Sequence, residues 1–392
     1  MKNPQSTSET TQNRPVPLLD ISRQNQPLED EIMAAIESIC KSGQFVLGPE
    51  VTRLEERIAQ YCDTKFAIGC ASGTDALLLS MMAIDIGPGD EVILPSFTFF
   101  ATASCVTRLG ATPVFVDIDP DTFNLDPKEV ASSVTSKTRA IIPVHLFGQP
   151  AEMDEIMEIA KKHDLDVVED AAQAIGAEYH GRKVGSIGEV GCISFYPTKN
   201  LGCFGDGGMI TTSDPHLAKR MRELRAHGME KRYHHHEIGI NSRLDSIQAA
   251  VLNIKLDHLD SWGDARAANA KKYDQFFKKR NLNSRVTLPK IDNSVKHVWN
   301  QFAITVPDGQ RDALRAHLTA NRIGSEIYYP IPLHRQESLA YLNYKPGTLP
   351  NTEQAADEIL NLPIFAELQD DEIESVVDGI SNFYSSTQSV AA

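Results

Sequence analysis

The chain has 392 residues, 41% of them hydrophobic, with 53 acidic against 38 basic side chains and a formal net charge of −15. That length can bury a large core and suits two domains rather than one. The acidic excess disfavours electrostatic attachment to nucleic acid or anionic membranes, and no apolar run reaches the roughly 18–20 residues that a membrane span requires.

The N-terminus, Met1 to Pro15, is rich in Ser, Thr, Gln and Asn. It lacks the apolar core of a signal peptide and reads as a disordered tail, as does Ser385–Ala392. Cys40, Cys62, Cys70, Cys105, Cys192 and Cys203 are scattered through apolar segments with no C-x-x-C pair. Neither a zinc site nor a disulfide framework is indicated, and the expectation is reduced thiols in a cytoplasmic protein.

Residues 30–40 place Ile32, Ala35, Ile36 and Ile39 on one helical face, and Val51, Leu54, Ile58 and Tyr61 form a second amphipathic pattern. Strands and helices then alternate. EVILP (91–95) is a strand, 99–109 a helix closed by Gly110, and TPVFVDI (112–118) a strand. AIIPVHL (140–146) is a strand, 152–162 a helix and DVVED (166–170) a strand. CISFY (192–196) and GMITT (208–212) are two more strands, followed by helices at 214–227 and 244–259. Strands rich in Val and Ile alternating with helices predict an α/β fold with an open, mainly parallel sheet. After that the pattern changes to a strand at 297–306 and helices at 308–322, 352–360 and 370–381. The chain thus divides into a tail (1–15), a large domain (16–261), a smaller C-terminal α+β domain (262–384) and a second tail (385–392).

Four segments carry chemistry. In SFYPTKNLGCFGDGG (194–208), Lys199 follows an apolar strand and precedes Gly202, Gly205, Gly207 and Gly208, which let backbone approach a ligand closely. An amine whose pKa is suppressed forms imines with aldehydes; the alternative is a solvated lysine on a turn. In VVEDAAQAIGA (167–177), Asp170 ends a strand, where open α/β sheets bind ligands. Its carboxylate can pair with a protonated pyridine nitrogen, with Gln173 beside the ring; the alternative is a helix N-cap. In CASGTDALLLSMM (70–82), the N–H groups of Gly73 and Thr74 open an apolar helix and can hold a phosphate, helped by the Ser72 and Thr74 hydroxyls. Ser194 is a further phosphate donor. In PSFTFFATAS (95–104), Phe99 can stack on a planar ring or serve as ordinary core.

The ordered strings SGTDAL, PSFTFFATA, VDIDPDTFNLDP, AIIPVHLFGQPAEMD, VVEDAAQAIGA, FYPTKNLGCFGDGG, NSRLDSIQAAVL and YYPIPLH resemble the DegT/DnrJ/EryC1/StrS family of sugar aminotransferases. The similarity runs from about Pro17 to about Asp378. It implies a fold-type I enzyme using pyridoxal 5'-phosphate (PLP). Lys199 would be the Schiff-base lysine and proton shuttle, and Asp170 would hold the pyridine nitrogen. Gln173 and Phe99 would flank the ring, and Gly73, Thr74 and Ser194 would bind phosphate. Asn241, in GINSRLD, matches a residue lent to the neighbouring subunit's cofactor, which implies a homodimer with shared sites.

The same resemblance implies transfer of an amino group, with L-glutamate as the usual donor, to a nucleotide-linked keto-sugar in polysaccharide or glycoconjugate sugar biosynthesis. FYPTKNLGCFGDGG and RYHHHEIGINSRLD resemble enzymes acting at C-3 of the hexose; the alternatives are amination at C-4 and a regulatory or sensor member without turnover. Relatives that are sugar dehydratases replace the lysine, and Lys199 is present here. Tyr329 and His334, in YYPIPLH, and Arg243 are candidate substrate contacts, a turn fixed by Pro330 and Pro332 being the other reading of His334. The run Tyr233–His236 suggests a metal cluster, but adjacent loop histidines rarely converge on one ion, so no metal is expected.

Overall fold

The computed structural model describes residues 14–291 and 294–390; most of the N-terminal tail and the last two residues lie outside that range. The central sheet has seven strands: β1 (Phe66–Cys70), β2 (Glu91–Pro95), β3 (Thr112–Val116), β4 (Thr138–Ile141), β5 (Asp166–Asp170), β6 (Val190–Ser194) and β7 (Gly208–Thr212). Their spatial order is β1-β7-β6-β5-β4-β2-β3. The neighbours from β3 through β6 pair in parallel, while β7 runs against both β1 and β6. The mainly parallel α/β sheet expected from the sequence is therefore present, with one reversed strand and an edge strand, β1, that the sequence reading did not include.

Alternation along the strands sends successive side chains to opposite faces. Val92, Leu94 and Val168 pack on one face with Ile68, Ile210 and the helices Gly73–Ala83 and Ala101–Arg108. Ile93, Ile141 and Val167 pack on the other with Met153 and Ile156 of the helix Met153–His163. Helix Gly73–Ala83 is apolar nearly all round because it is enclosed, burying Ala76, Leu77, Leu79, Met81 and Ala83. By parity, Asp170 shares the face of Val168, and Glu169 shares that of Val167. This puts two adjacent carboxylates in different surroundings.

Toward the C-terminus, strands Phe302–Thr305 and Ile359–Leu362 pair antiparallel. They share a core with Tyr273, Phe277, Leu314, Leu318, Val376, Val377 and Ile380 from three helices. That core also takes in Phe97, Val144 and Phe147, which follow strands of the main sheet. The helix Leu259–Lys279 passes unbroken across residue 262, and the last helix, Asp370–Val390, runs past residue 385. No helix among the described residues is long and apolar enough to cross a membrane.

Candidate active site

The C-terminal ends of the parallel strands gather the candidate residues, as expected for an open α/β sheet. Asp170 is 5% exposed. Its Oδ2 accepts from the Thr102 hydroxyl at 2.9 Å and its Oδ1 from the Ala172 N–H at 3.2 Å. Burial pushes its pKa up, with the Thr102 and Ala172 hydrogen bonds and the nearby positive charge of Lys199 opposing. No α-helix follows Asp170, since residues 172–176 form a turn, so the carboxylate does not cap one. Gln173 is buried; its Oε1 accepts from the Phe147 N–H at 2.8 Å and its Nε2 donates to the Tyr329 hydroxyl at 3.3 Å.

Lys199 is half-buried in the turn after β6, where its N–H donates to the Tyr196 carbonyl at 2.8 Å. Burial lowers its amine to about 8, while the Asp170 carboxylate acts in the opposite sense. The loop needs a glycine at 202, where a Cβ would lie 2.4 Å from the Pro197 carbonyl oxygen. It is held from behind by Lys255, whose buried ammonium donates to the Gly202 carbonyl at 2.6 Å and whose own pKa is lowered by burial to about 8.

Ser72 caps the helix Gly73–Ala83, its hydroxyl accepting from the Asp75 N–H at 3.1 Å. The N–H groups of Gly73 and Thr74 belong to the first turn and lack intrahelical acceptors. Ser194 closes against them: a Cβ on Gly73 would meet Ser194 Cβ at 2.7 Å, and one on Gly208 would meet the Ser72 carbonyl oxygen at 2.3 Å. These glycines let β6, β7 and the start of the helix pack closely, which brings Ser194 beside the free N–H groups. Phe99 is 59% exposed, with its ring centroid 6.3 Å from that of Tyr329.

The remaining candidates separate. Tyr329 stands in the site through Gln173. His334 is buried with both ring nitrogens engaged, Nδ1 with Ser96 Oγ at 2.7 Å and Nε2 with Glu353 Oε1 at 3.2 Å. Asn241 is exposed and Arg243 half-buried in the segment before helix Ser246–Lys255. His234–His236 lie on an exposed hairpin; His235 pairs with the His227 carbonyl and His236 with Glu230. Among the described residues no group of His, Cys, Asp or Glu is arranged to hold a metal ion.

Sequence reasoning missed Thr102, His145, Glu169 and Lys255. Thr102, His145 and Glu169 lie in the quoted strings PSFTFFATAS, AIIPVHLFGQPAEMD and VVEDAAQAIGA; only the fold brings them onto Asp170 or behind it. A partly buried amine of lowered pKa, a buried carboxylate within its electrostatic reach and a helix N-terminus whose first N–H groups stand beside Ser194 together fit PLP, and they define a site of the PLP-enzyme class.

The model of the DegT/DnrJ/EryC1/StrS aminotransferase family matches residues 26–381, and the chain belongs to that family: it is an aminotransferase with PLP as cofactor. It is 49% identical over 369 residues to a pleiotropic regulatory protein of Geobacillus stearothermophilus, covering 94% of this chain and 98% of that one. It is 44% identical over 366 residues to a UDP-N-acetyl-3-dehydro-alpha-D-glucosamine 3-aminotransferase of Acidithiobacillus ferrooxidans, covering 93% and 97%. Among solved structures, DesV of S. venezuelae in complex with a ketimine intermediate superposes with a TM-score of 0.91 at 44% identity, covering 95% of this chain and 99% of that one.

Proposed function

We propose that this aminotransferase moves an amino group from L-glutamate to the C-3 keto group of a nucleotide-linked hexose, within polysaccharide or glycoconjugate sugar biosynthesis. The observation that carries the amino-transfer reading is the position of Lys199 in the turn after β6, its amine lowered to about 8 by burial, within electrostatic reach of the buried carboxylate of Asp170 at the end of β5. Bound PLP supplies an aldehyde for amines and an electron-withdrawing ring. Asp170 would keep the ring nitrogen protonated, and Gly73, Thr74 and Ser194 would hold the phosphate. Phe99 and Gln173 flank the ring. Lys199 Nζ would take and return the proton that the amino transfer moves. C-3 is favoured by the strings around Lys199 and Asn241 and by the substrate named for the Acidithiobacillus relative.

The working unit is a homodimer with shared sites, placed in the cytoplasm. Its support is an exposed ledge. Ser246 donates its N–H to the Phe45 carbonyl at 2.9 Å, and Phe204 donates its own to Gln248 Oε1 at 2.7 Å. The residues 44–49, 241–248 and Phe204 therefore stand together, with Phe45, Val46, Leu47 and Phe204 exposed beside Asn241. Tyr329 and Arg243 would contact the nucleotide sugar; His334, with both nitrogens engaged, would reach it only by giving up a partner. Incubation with glutamate and matched 3-keto and 4-keto nucleotide sugars tests the assignment. Product from the 4-keto sugar alone overturns C-3, and a protein that stays colourless with added PLP overturns catalysis in favour of the regulatory role that the Geobacillus relative's name describes.

A further inference from the structure

The turn His145–Gly148 is tied to the floor of the site from several sides. The His145 N–H donates to the Asp170 carbonyl at 3.1 Å, and the Asp170 N–H donates to the Pro143 carbonyl at 2.9 Å. The Phe147 N–H holds Gln173 Oε1. The His145 ring, fully buried, meets Glu169 through Nε2 at 3.0 Å. Glu169 is also fully buried, on the face of β5 away from Asp170. It accepts three more bonds, from the N–H groups of Gly185 (2.8 Å), Ile187 and Gly188 (both 2.7 Å).

The tautomer of His145 follows from its other nitrogen. The Ala151 N–H donates to His145 Nδ1 at 3.0 Å. A ring nitrogen that accepts carries no proton, so the proton sits on Nε2 and is donated to Glu169. A second proton would cost the Ala151 bond. The same turn continues toward Lys199. Its Gly148 carbonyl accepts from the Val298 N–H at 3.0 Å and its Phe147 carbonyl from the Asn300 N–H at 2.9 Å. Asn300 donates to Asn200 Oδ1 at 3.0 Å, and Asn200, the neighbour of Lys199, donates to the Val298 carbonyl at 2.8 Å.

We infer that His145 is a positioning residue for amino transfer: held as the Nε2–H tautomer between Glu169 and Ala151, it fixes the turn that aligns Asp170 and Gln173 with the cofactor ring. The inference rests on the proposed role of Asp170. Behind β5, on the face away from Asp170, Glu169 accepts from His145 Nε2 while His145 Nδ1 accepts from the Ala151 N–H, so the ring is held from both sides.

The test compares the parent, Asp170→Asn, His145→Ala and His145→Gln, each reconstituted with PLP. The readouts are the visible absorption band, the pH at which it changes form, cofactor release and the half-reaction with L-glutamate. His145→Ala is expected to slow the half-reaction about 10- to 100-fold, the scale of a small misplacement of reacting groups. It should shift the band's pH midpoint in the same direction as Asp170→Asn and leave KM for the donor within about twofold. His145→Gln should recover most of the loss, since its amide can donate to Glu169 and its oxygen can accept from Ala151. If the alanine chain does not accumulate folded, His145→Phe keeps the volume and removes both nitrogens. An unmoved band with parent-like rate overturns the inference, as does a rate loss that only follows a lowered melting temperature. A parent without a visible band, or one that Asp170→Asn leaves unchanged, overturns the reading of Asp170 and the inference with it.

Discussion

The floor and the wall of the site are built in opposite ways. On the floor, Asp170, Gln173, Glu169 and His145 are buried and their polar atoms are matched by Thr102, Tyr329, Phe147 and backbone N–H groups. On the wall, Phe99, Tyr196, Phe204 and Val46 are exposed apolar surface and Asn241 is open to solvent. The difference separates reaction geometry from affinity. The floor is fixed by one chain before any ligand arrives, which is where preorganisation lowers a barrier. The wall waits for a ligand or a second chain. Substitutions on the floor should strike turnover, and substitutions on the wall should strike binding.

Lys199→Ala is the largest expected break. In the proposed role the side chain acts through its amine rather than through packing, so the alanine chain should fold, bind PLP through the remaining contacts and lose transamination entirely. Steady-state turnover with a keto-sugar acceptor, alongside a melting curve, checks both halves. Turnover near the parent rate would remove Lys199 from the mechanism. The same amine makes the floor sensitive to pH. Its pKa is lowered to about 8, so it is charged below that pH and neutral above it. Only the neutral form attacks an aldehyde. Capture of PLP by the empty protein should therefore rise about tenfold per pH unit from 6 toward 8 and then level off. Stopped-flow absorbance reads it; a rate still climbing in proportion between pH 9 and 10 would mean that burial does not hold the amine down.

This contrast also marks what the sequence could disclose. Val- and Ile-rich runs made β2 through β7 legible, and a lysine or aspartate ending such a run stood out. β1 escaped because FAIGC is short, with Ala and Gly among its five residues, and earns its place only by pairing with β7. AIIPVHL read as one strand, yet β4 stops at Ile141 and the chain goes on into the His145 turn, with Pro143 unable to donate to a ladder. Ile359 and Leu360 read as the end of a helix over 352–360; instead they begin the strand Ile359–Leu362, because Phe302–Thr305 lies alongside. Thr102 is 68 residues from Asp170, and no local pattern announces that bond. What was hidden is thus mostly long-range pairing, and it is concentrated on the floor.

Asn241→Ala tests whether the wall belongs to two chains. Asn241 makes a backbone bridge with Ala226, next to Ser242, whose hydroxyl accepts from the Ala71 N–H at 3.1 Å. Its side chain is free to reach outward. Removing the hydrogen bond proposed from Asn241 to the partner's cofactor phosphate should weaken PLP binding about tenfold. Co-expression with Lys199→Ala chains should restore parent-like PLP affinity at one site per mixed dimer, since with shared sites such a dimer contains one site with both native residues. An active species that sediments as a monomer, or no restoration in verified mixed dimers, would count against shared sites.

The smallest expected effect is at Phe99, and it is the sharpest test of the division. Phe99 contributes no proton and no charge, and its exposed ring makes a tilted contact with Tyr329 within its own chain. Phe99→Leu keeps an apolar side chain and removes the flat face that would stack on the cofactor. Stacking of aromatic rings is worth about 0.5–1.5 kcal/mol beyond burial, or roughly a two- to tenfold weakening of PLP binding. Because Asp170 and its partners are untouched, turnover at saturating cofactor should stay close to that of the parent. Equilibrium titration of PLP and kcat at saturation separate the two quantities. A leucine variant with unchanged affinity but depressed kcat would place Phe99 with the floor, and the boundary between the part that aligns and the part that holds would have to be redrawn through the ring's own stacking partner.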